Sequence, residues 1–176
     1  NEWHRKTLAH NTVCWNGTDI TSVEPGKCLL FENDRVRCKA ENVYEGIDYT
    51  RELKITENSV LDYFQAEGKT GVYDYTFHFE PGIELSCDLP TEAADLGFSE
   101  NGYQHVLETK KVKTDQNAVV LRAQLGAESM QVWVDLQEGQ ELFLLKTKDN
   151  PVNRIRNTVL IRSVGDKATY QMQLTV

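Results

Sequence analysis

The side chains able to do chemistry in this 176-residue chain are four histidines, four cysteines and 27 carboxylates, and their spacing decides which reactions are open. Asp74, Thr76, His78 and Glu80 alternate with large apolar residues in Tyr73-Asp-Tyr-Thr-Phe-His-Phe-Glu80, so an extended backbone puts them on one face. His78 and Glu80, at i and i+2, can share a divalent cation only if a neighbouring strand adds further ligands. Without those ligands the stripe reads as the wet side of a sheet, and no metal is assigned. His4 and His10 stand six apart, match no helical His-x-x-x-His spacing, and read as solvated or hydrogen-bonded. His105 adjoins Val106 and Leu107 and reads as structural. Gly-x-Ser-x-Gly, a glycine-rich phosphate loop and a cysteine in a basic setting are all missing. A glycosidase pair can be drawn from any of the scattered acids, which gives that idea no specificity. The sequence therefore predicts no catalytic residue and no cofactor, and a chain that is not an enzyme.

The cysteines read differently. Cys14, Cys28, Cys38 and Cys87 form an even set with no Cys-x-x-Cys pair, which fits disulfides better than zinc. Cys38 and Cys87 both fall on apolar faces of well-alternating segments, so their pairing is predicted, with Cys14–Cys28 closing a local loop. Both bonds imply an oxidising location: periplasm, cell surface or secretory route. Four buried free thiols in a cytosolic protein are the competing reading. Asn16-Gly17-Thr18 is a glycosylation acceptor in a eukaryotic secretory setting and equally an Asn-Gly turn. A first residue other than Met is what a processed or excised chain shows.

Two tryptophans are candidate contacts. Trp133 points opposite to Val132 and Val134, between Gln131 and Asp135. It therefore lies under a second layer, the favoured reading, or anchors a partner. Trp15, in the loop from Cys14 to Lys27, is the other. A net charge of −8 and a pI near 5.0 repel nucleic-acid backbones and anionic membranes, and no apolar run is long enough to span a bilayer. The basic groups Lys110, Lys111, Lys113 and Lys146, Lys148, Arg154, Arg156 read as guards of sheet edges.

The elements that must position these residues are strands. Strands are read over 27–31, 35–41, 49–56, 59–65, 72–80, 83–89, 103–114, 118–125, 130–136, 141–146, 155–164 and 168–176, with turn residues between; alternation is clear in 35–41, 49–56, 72–80, 83–89, 118–125, 130–136 and 168–176, while 59–65 is apolar on both sides. Pro81-Gly82 reads as the turn of a hairpin from Val72 to Leu89. Leu89–Leu96, with Asp88 as cap, Pro90 in the first turn and Gly97 as a stop, reads as the one short helix. The expected fold is all-β and mainly antiparallel. It is a sandwich or flattened barrel of about ten strands with that helix near 90–96, in one domain over 1–176 with a subdomain break near 90–102.

From fold and composition the expected function is a non-enzymatic secreted, surface or periplasmic binding module for a protein or glycan partner, of adhesin, receptor-like, inhibitor or immunity type. One alternative is a barrel carrying an apolar small molecule behind Tyr73, Tyr75, Phe77 and Phe79. The other is a hydrolase built from scattered acids. Nothing in the sequence sets the oligomeric state.

Overall fold

The structure is a computed structural model describing residues 2–151 and 153–176. Among these, the chain forms twelve strands and no α-helix: β1 (Val13–Trp15), β2 (Lys27–Phe31), β3 (Arg35–Tyr44), β4 (Ile47–Ile55), β5 (Ser59–His78), β6 (Glu84–Cys87), β7 (Thr91–Ala93), β8 (Val106–Val112), β9 (Ala118–Leu125), β10 (Glu128–Asp135), β11 (Glu141–Lys148) and β12 (Ile155–Thr175). Every pairing is antiparallel. The all-β sandwich expectation holds.

The two longest strands make the architecture. β5 and β12 run side by side along nearly their whole length, from Ser59↔Thr175 to His78↔Thr158. Their outer halves join β4 and β10 in one layer, ordered β2-β3-β4-β5-β12-β10-β9-β6. Their inner halves join β1 and β11 in the other, which β8 and β7 extend. Each strand changes layer at a glycine. Gly68 has φ +145°, and a Cβ there would lie 2.0 Å from the Gly46 carbonyl oxygen, so no other residue fits the bend. Opposite it, the β12 register slips between Gly165 and Lys167. The sequence shows glycine breaks at both places; they bend continuous strands instead of ending them.

The apolar faces of both layers meet in a core that includes Tyr49, Phe64, Tyr73, Tyr75, Leu121, Val134, Ile161 and Tyr170. Tyr75 stacks on Tyr170 with centroids 5.1 Å apart, and Tyr49 meets Phe64 edge-on at 5.2 Å. Burying each such ring contributes about 1.5–3 kcal/mol. The aromatic run is solid core, so the ligand-filled barrel is set aside. A second cluster lies on the far side of the inner layer. There Trp3, Leu8, Ala9 and Cys14 from the N-terminal arm join Leu96, Tyr103, Phe143, Leu145 and Leu160.

Three expectations are corrected. β6 pairs with β9 and not with β5, so the turn at residues 80–83 carries the chain across the molecule and closes no hairpin. Alternation fixes that a segment is a strand, not which neighbour it takes. Residues 91–93 are strand β7, paired with β8, and not a helix. An isolated helix of two turns is marginal, and an unpaired edge on β8 offers its backbone better hydrogen bonds. All four thiols are free. Cys38 and Cys87 sit on β3 and β6, six strand steps apart in the sheet order, so no ladder brings them together. Cys14 is buried and donates to the Thr18 carbonyl, while Cys28 is exposed on β2. The expected oxidising location rested on those two bonds.

Candidate active site

The polar stripe of β5 is not wet. Asp74, Thr76 and His78 are 0%, 1% and 8% exposed, because the N-terminal arm lies over them as a third layer. The arm docks through its backbone. Thr76 donates from Oγ1 to the His10 carbonyl (2.8 Å) and from its amide to the Thr12 carbonyl (2.9 Å). His78 donates from its amide to Asn11 Oδ1 (2.8 Å). Its ring Nε2 lies 2.8 Å from the Leu8 carbonyl, which can only accept, so Nε2 carries the proton and Nδ1 accepts from Thr158 Oγ1 at 2.7 Å. Arg156 donates to the Ala9 carbonyl (2.6 Å), and Arg51 to that of Asn11 (2.7 Å). Behind the arm, Lys6 and the Thr7 amide both bond Asp19. Asp74 itself takes a bidentate pair from Arg162, 2.7 Å on each oxygen, and a third bond from Tyr103 Oη at 2.7 Å.

This docking sets two histidines against one ring and brings the other two beside it along the arm. Trp3, fully buried, stands edge-on to His78 (6.1 Å between centroids) and His105 (5.6 Å), with the Arg156 guanidinium 5.9 Å from its centre. His4, the next residue, brings Nε2 within 3.7 Å of Asp149 Oδ1. Arg156 reaches the same oxygen at 3.8 Å, and Arg154 reaches Oδ2 at 3.7 Å. Exposed His10 donates from Nε2 to the His4 carbonyl at 3.0 Å.

Burial and then the Arg156 charge lower the His4 pKa, against the pull of Asp149. Its imidazole is therefore neutral at pH 7, the form that accepts a proton. His78, buried and facing the same guanidinium, is pushed down to about 3 and serves as a fixed hydrogen-bonding post. Several buried polar atoms here have no hydrogen-bond partner among the described residues: His4 Nε2, both ring nitrogens of His105 and Nε of Arg156. Unpaired polar atoms are rare in folded proteins, which sets this cluster apart from the rest of the interior. Within the described residues no group of three or more His, Cys, Asp or Glu is placed to hold a metal ion, and no helix is long and apolar enough to cross a membrane.

The residues singled out from the sequence scatter. His78 stands behind the His4–Asp149 pair, and Asp74 lies four residues back along the same strand, tied to Arg162. Glu80 is exposed at the end of β5, where its charge acts on Arg156. Trp15 packs on Tyr44 at 5.8 Å, so close to Gly71 that a Cβ there would lie 2.3 Å from its indole nitrogen. Asn16, in the left-handed conformation, accepts from the Val72 amide through Oδ1, so the Asn-Gly-Thr stretch works as a turn. Trp133 lies on the opposite layer, 42% exposed with its Nε1 donating to Gln131, so no second layer covers it. His4 and His10, expected to be solvated or hydrogen-bonded, stand near Asp149, and the sequence separations of the three carry no signal of this.

No protein-family model matches the sequence, and no curated protein matches it. Solved structures do. A provisionally assigned aldose 1-epimerase from Escherichia coli K12 superposes with a TM-score of 0.51 at 10% identity, over 87% of this chain and 68% of that one. A galactose mutarotase related enzyme from Lactobacillus acidophilus superposes with a TM-score of 0.53 at 9% identity, over 86% and 71%. The chain shares their fold. The expectation of a non-enzymatic module that only grips a partner is overturned by this likeness, since the sandwich it was inferred from is one that sugar-processing enzymes use.

Proposed function

We propose that this chain is a sugar-processing enzyme whose acid–base chemistry runs through His4 and His10 at the docked N-terminal arm. The observation that carries the reading is the convergence of His4, His10, Asp149, Arg154 and Arg156, with unpaired polar atoms among them, on a sandwich of mutarotase-like fold. In this reading neutral His4 takes the proton of an anomeric hydroxyl, oriented by Asp149, while exposed His10, starting as the imidazolium, delivers its Nδ1 proton to the ring oxygen and ends neutral with Nε2–H still on the His4 carbonyl. The bond between the anomeric carbon and the ring oxygen breaks, the open aldehyde turns, and reclosure reverses both transfers. Arg154 and Arg156 supply donors for sugar oxygens. A non-enzymatic role has no comparable support, because it leaves the buried unpaired nitrogens without a task.

The test is turnover by the unaltered protein. Anomer interconversion is followed by polarimetry and by NMR saturation transfer on a panel of aldoses, and bond cleavage on a panel of oligosaccharides. Catalysed turnover with at least one sugar is expected. Rates equal to buffer on every sugar in both panels would overturn the reading.

A further inference from the structure

The structure assigns a second chemically active place, far from the histidines. We propose that Cys28 and Cys38 are an oxidisable pair, closing a cross-strand disulfide on exchange with a low-molecular-weight disulfide such as oxidised glutathione and reopening when that pool is reduced.

The register is the ground for this. Cys28 of β2 stands directly opposite Cys38 of β3 in the antiparallel ladder. Directly opposed residues share a face, with Cα atoms about 4.5–5.5 Å apart, inside the range a disulfide requires. Both thiols are exposed, whereas Cys14 is buried and Cys87 lies at the other end of the sheet. Cys28 donates to the Leu30 carbonyl at 3.3 Å, where the ladder slips by one residue, so its neighbouring backbone already tolerates irregular pairing. Partial burial and the neighbouring Cys28 raise the Cys38 pKa, in keeping with two thiols in contact. A staple would tie down an edge: among the described residues β2 pairs with β3 alone, and it holds Leu29 at 55% and Phe31 at 84% exposure.

The chemistry balances. One cysteine thiolate attacks a sulfur of oxidised glutathione and expels a glutathione thiolate. The second cysteine, as its thiolate, attacks the protein sulfur of the mixed disulfide and expels the other. Two protein thiols and one oxidised glutathione become one protein disulfide and two reduced glutathiones, with both electrons passing to glutathione.

The full chain is reduced, exchanged into oxidised glutathione under native conditions, quenched with acid, alkylated and mapped by mass spectrometry. The expected product is lighter by about 2 Da, has peptides linked through Cys28 and Cys38, and keeps Cys14 and Cys87 alkylatable. In Cys28→Ser, Cys38 should hold glutathione as a stable adduct. Hydrogen exchange of the β2 amides should slow about tenfold or more on oxidation of the unaltered chain. Four free thiols, stable glutathione on both residues of the unaltered chain, a bridge to Cys87, or unchanged exchange in β2 would each overturn the proposal.

Discussion

Both layers of the sandwich turn polar residues away from the shared core, yet only one of these polar faces meets water. On the inner layer, Asp74, Thr76 and Thr158 are no more than 1% exposed, and the arm and the 94–106 segment lie over them. On the outer layer, Arg37, Glu52, Tyr63 and Gln171 stand in one cross-strand row and line an open cleft of about 520 Å³, with Trp133 on the next strand. The first face holds the bidentate Asp74–Arg162 pair. The second has the Arg37–Glu52 pair at the surface. Alternation in the sequence is the same for both, so a period of two says which residues leave the core and nothing about what they meet next.

The largest expected difference is in stability. Asp74→Ala leaves the Arg162 guanidinium buried without its partner and should cost about 3–5 kcal/mol in urea unfolding, whereas Glu52→Ala on the bare face should cost about 1 kcal/mol or less. Equal losses would erase the distinction between the faces.

Next comes pH. The His78 pKa in the fold is about 3, below the ordinary 6.5, so on acidification the unfolded chain takes up its proton first. This contribution is fully present above about pH 6.5 and is lost as pH falls toward 3, at up to about 1.4 kcal/mol per pH unit. Urea midpoints measured from pH 7 to 4 should show that slope, and His78→Gln should flatten it. A slope unchanged by the substitution would mean that His78 is not what ties the arm down.

The smallest effect is expected at Trp133. With 42% of its surface exposed and a hydrogen bond only to Gln131, Trp133→Ala should change stability by under about 1 kcal/mol. A larger loss would show that this face is covered after all.

The strands were legible because each alternates by itself, and the β2–β3 pair because Asn33-Asp34 sits between two short runs. Long-range facts were not legible. Nothing in Glu84–Cys87 says that it pairs with Ala118–Leu125, and nothing in residues 2–12 says that they cover β5. The cysteine pairing failed for the same reason, since an apolar face does not reveal a strand's place in the sheet. The candidate site was hidden most completely. His4 and His10 come from the arm, His78 from β5 and Asp149 from the segment after β11, and what gathers them is the arm's own carbonyls, which every sequence possesses. One signal was available: β5 offers Thr76 and His78, two side chains able to donate to backbone carbonyls, on a single face.

The decisive measurement compares the two faces by anomer exchange. Saturation transfer between the anomers of the best aldose is recorded for the unaltered chain, for His4→Ala and His10→Ala, and for Tyr63→Ala and Trp133→Ala. Exchange should fall on the order of 100-fold or more in the first pair and stay near the unaltered rate in the second. Exchange that survives in both histidine variants, or is lost only with Tyr63 or Trp133, would place the chemistry on the bare layer and contradict the account.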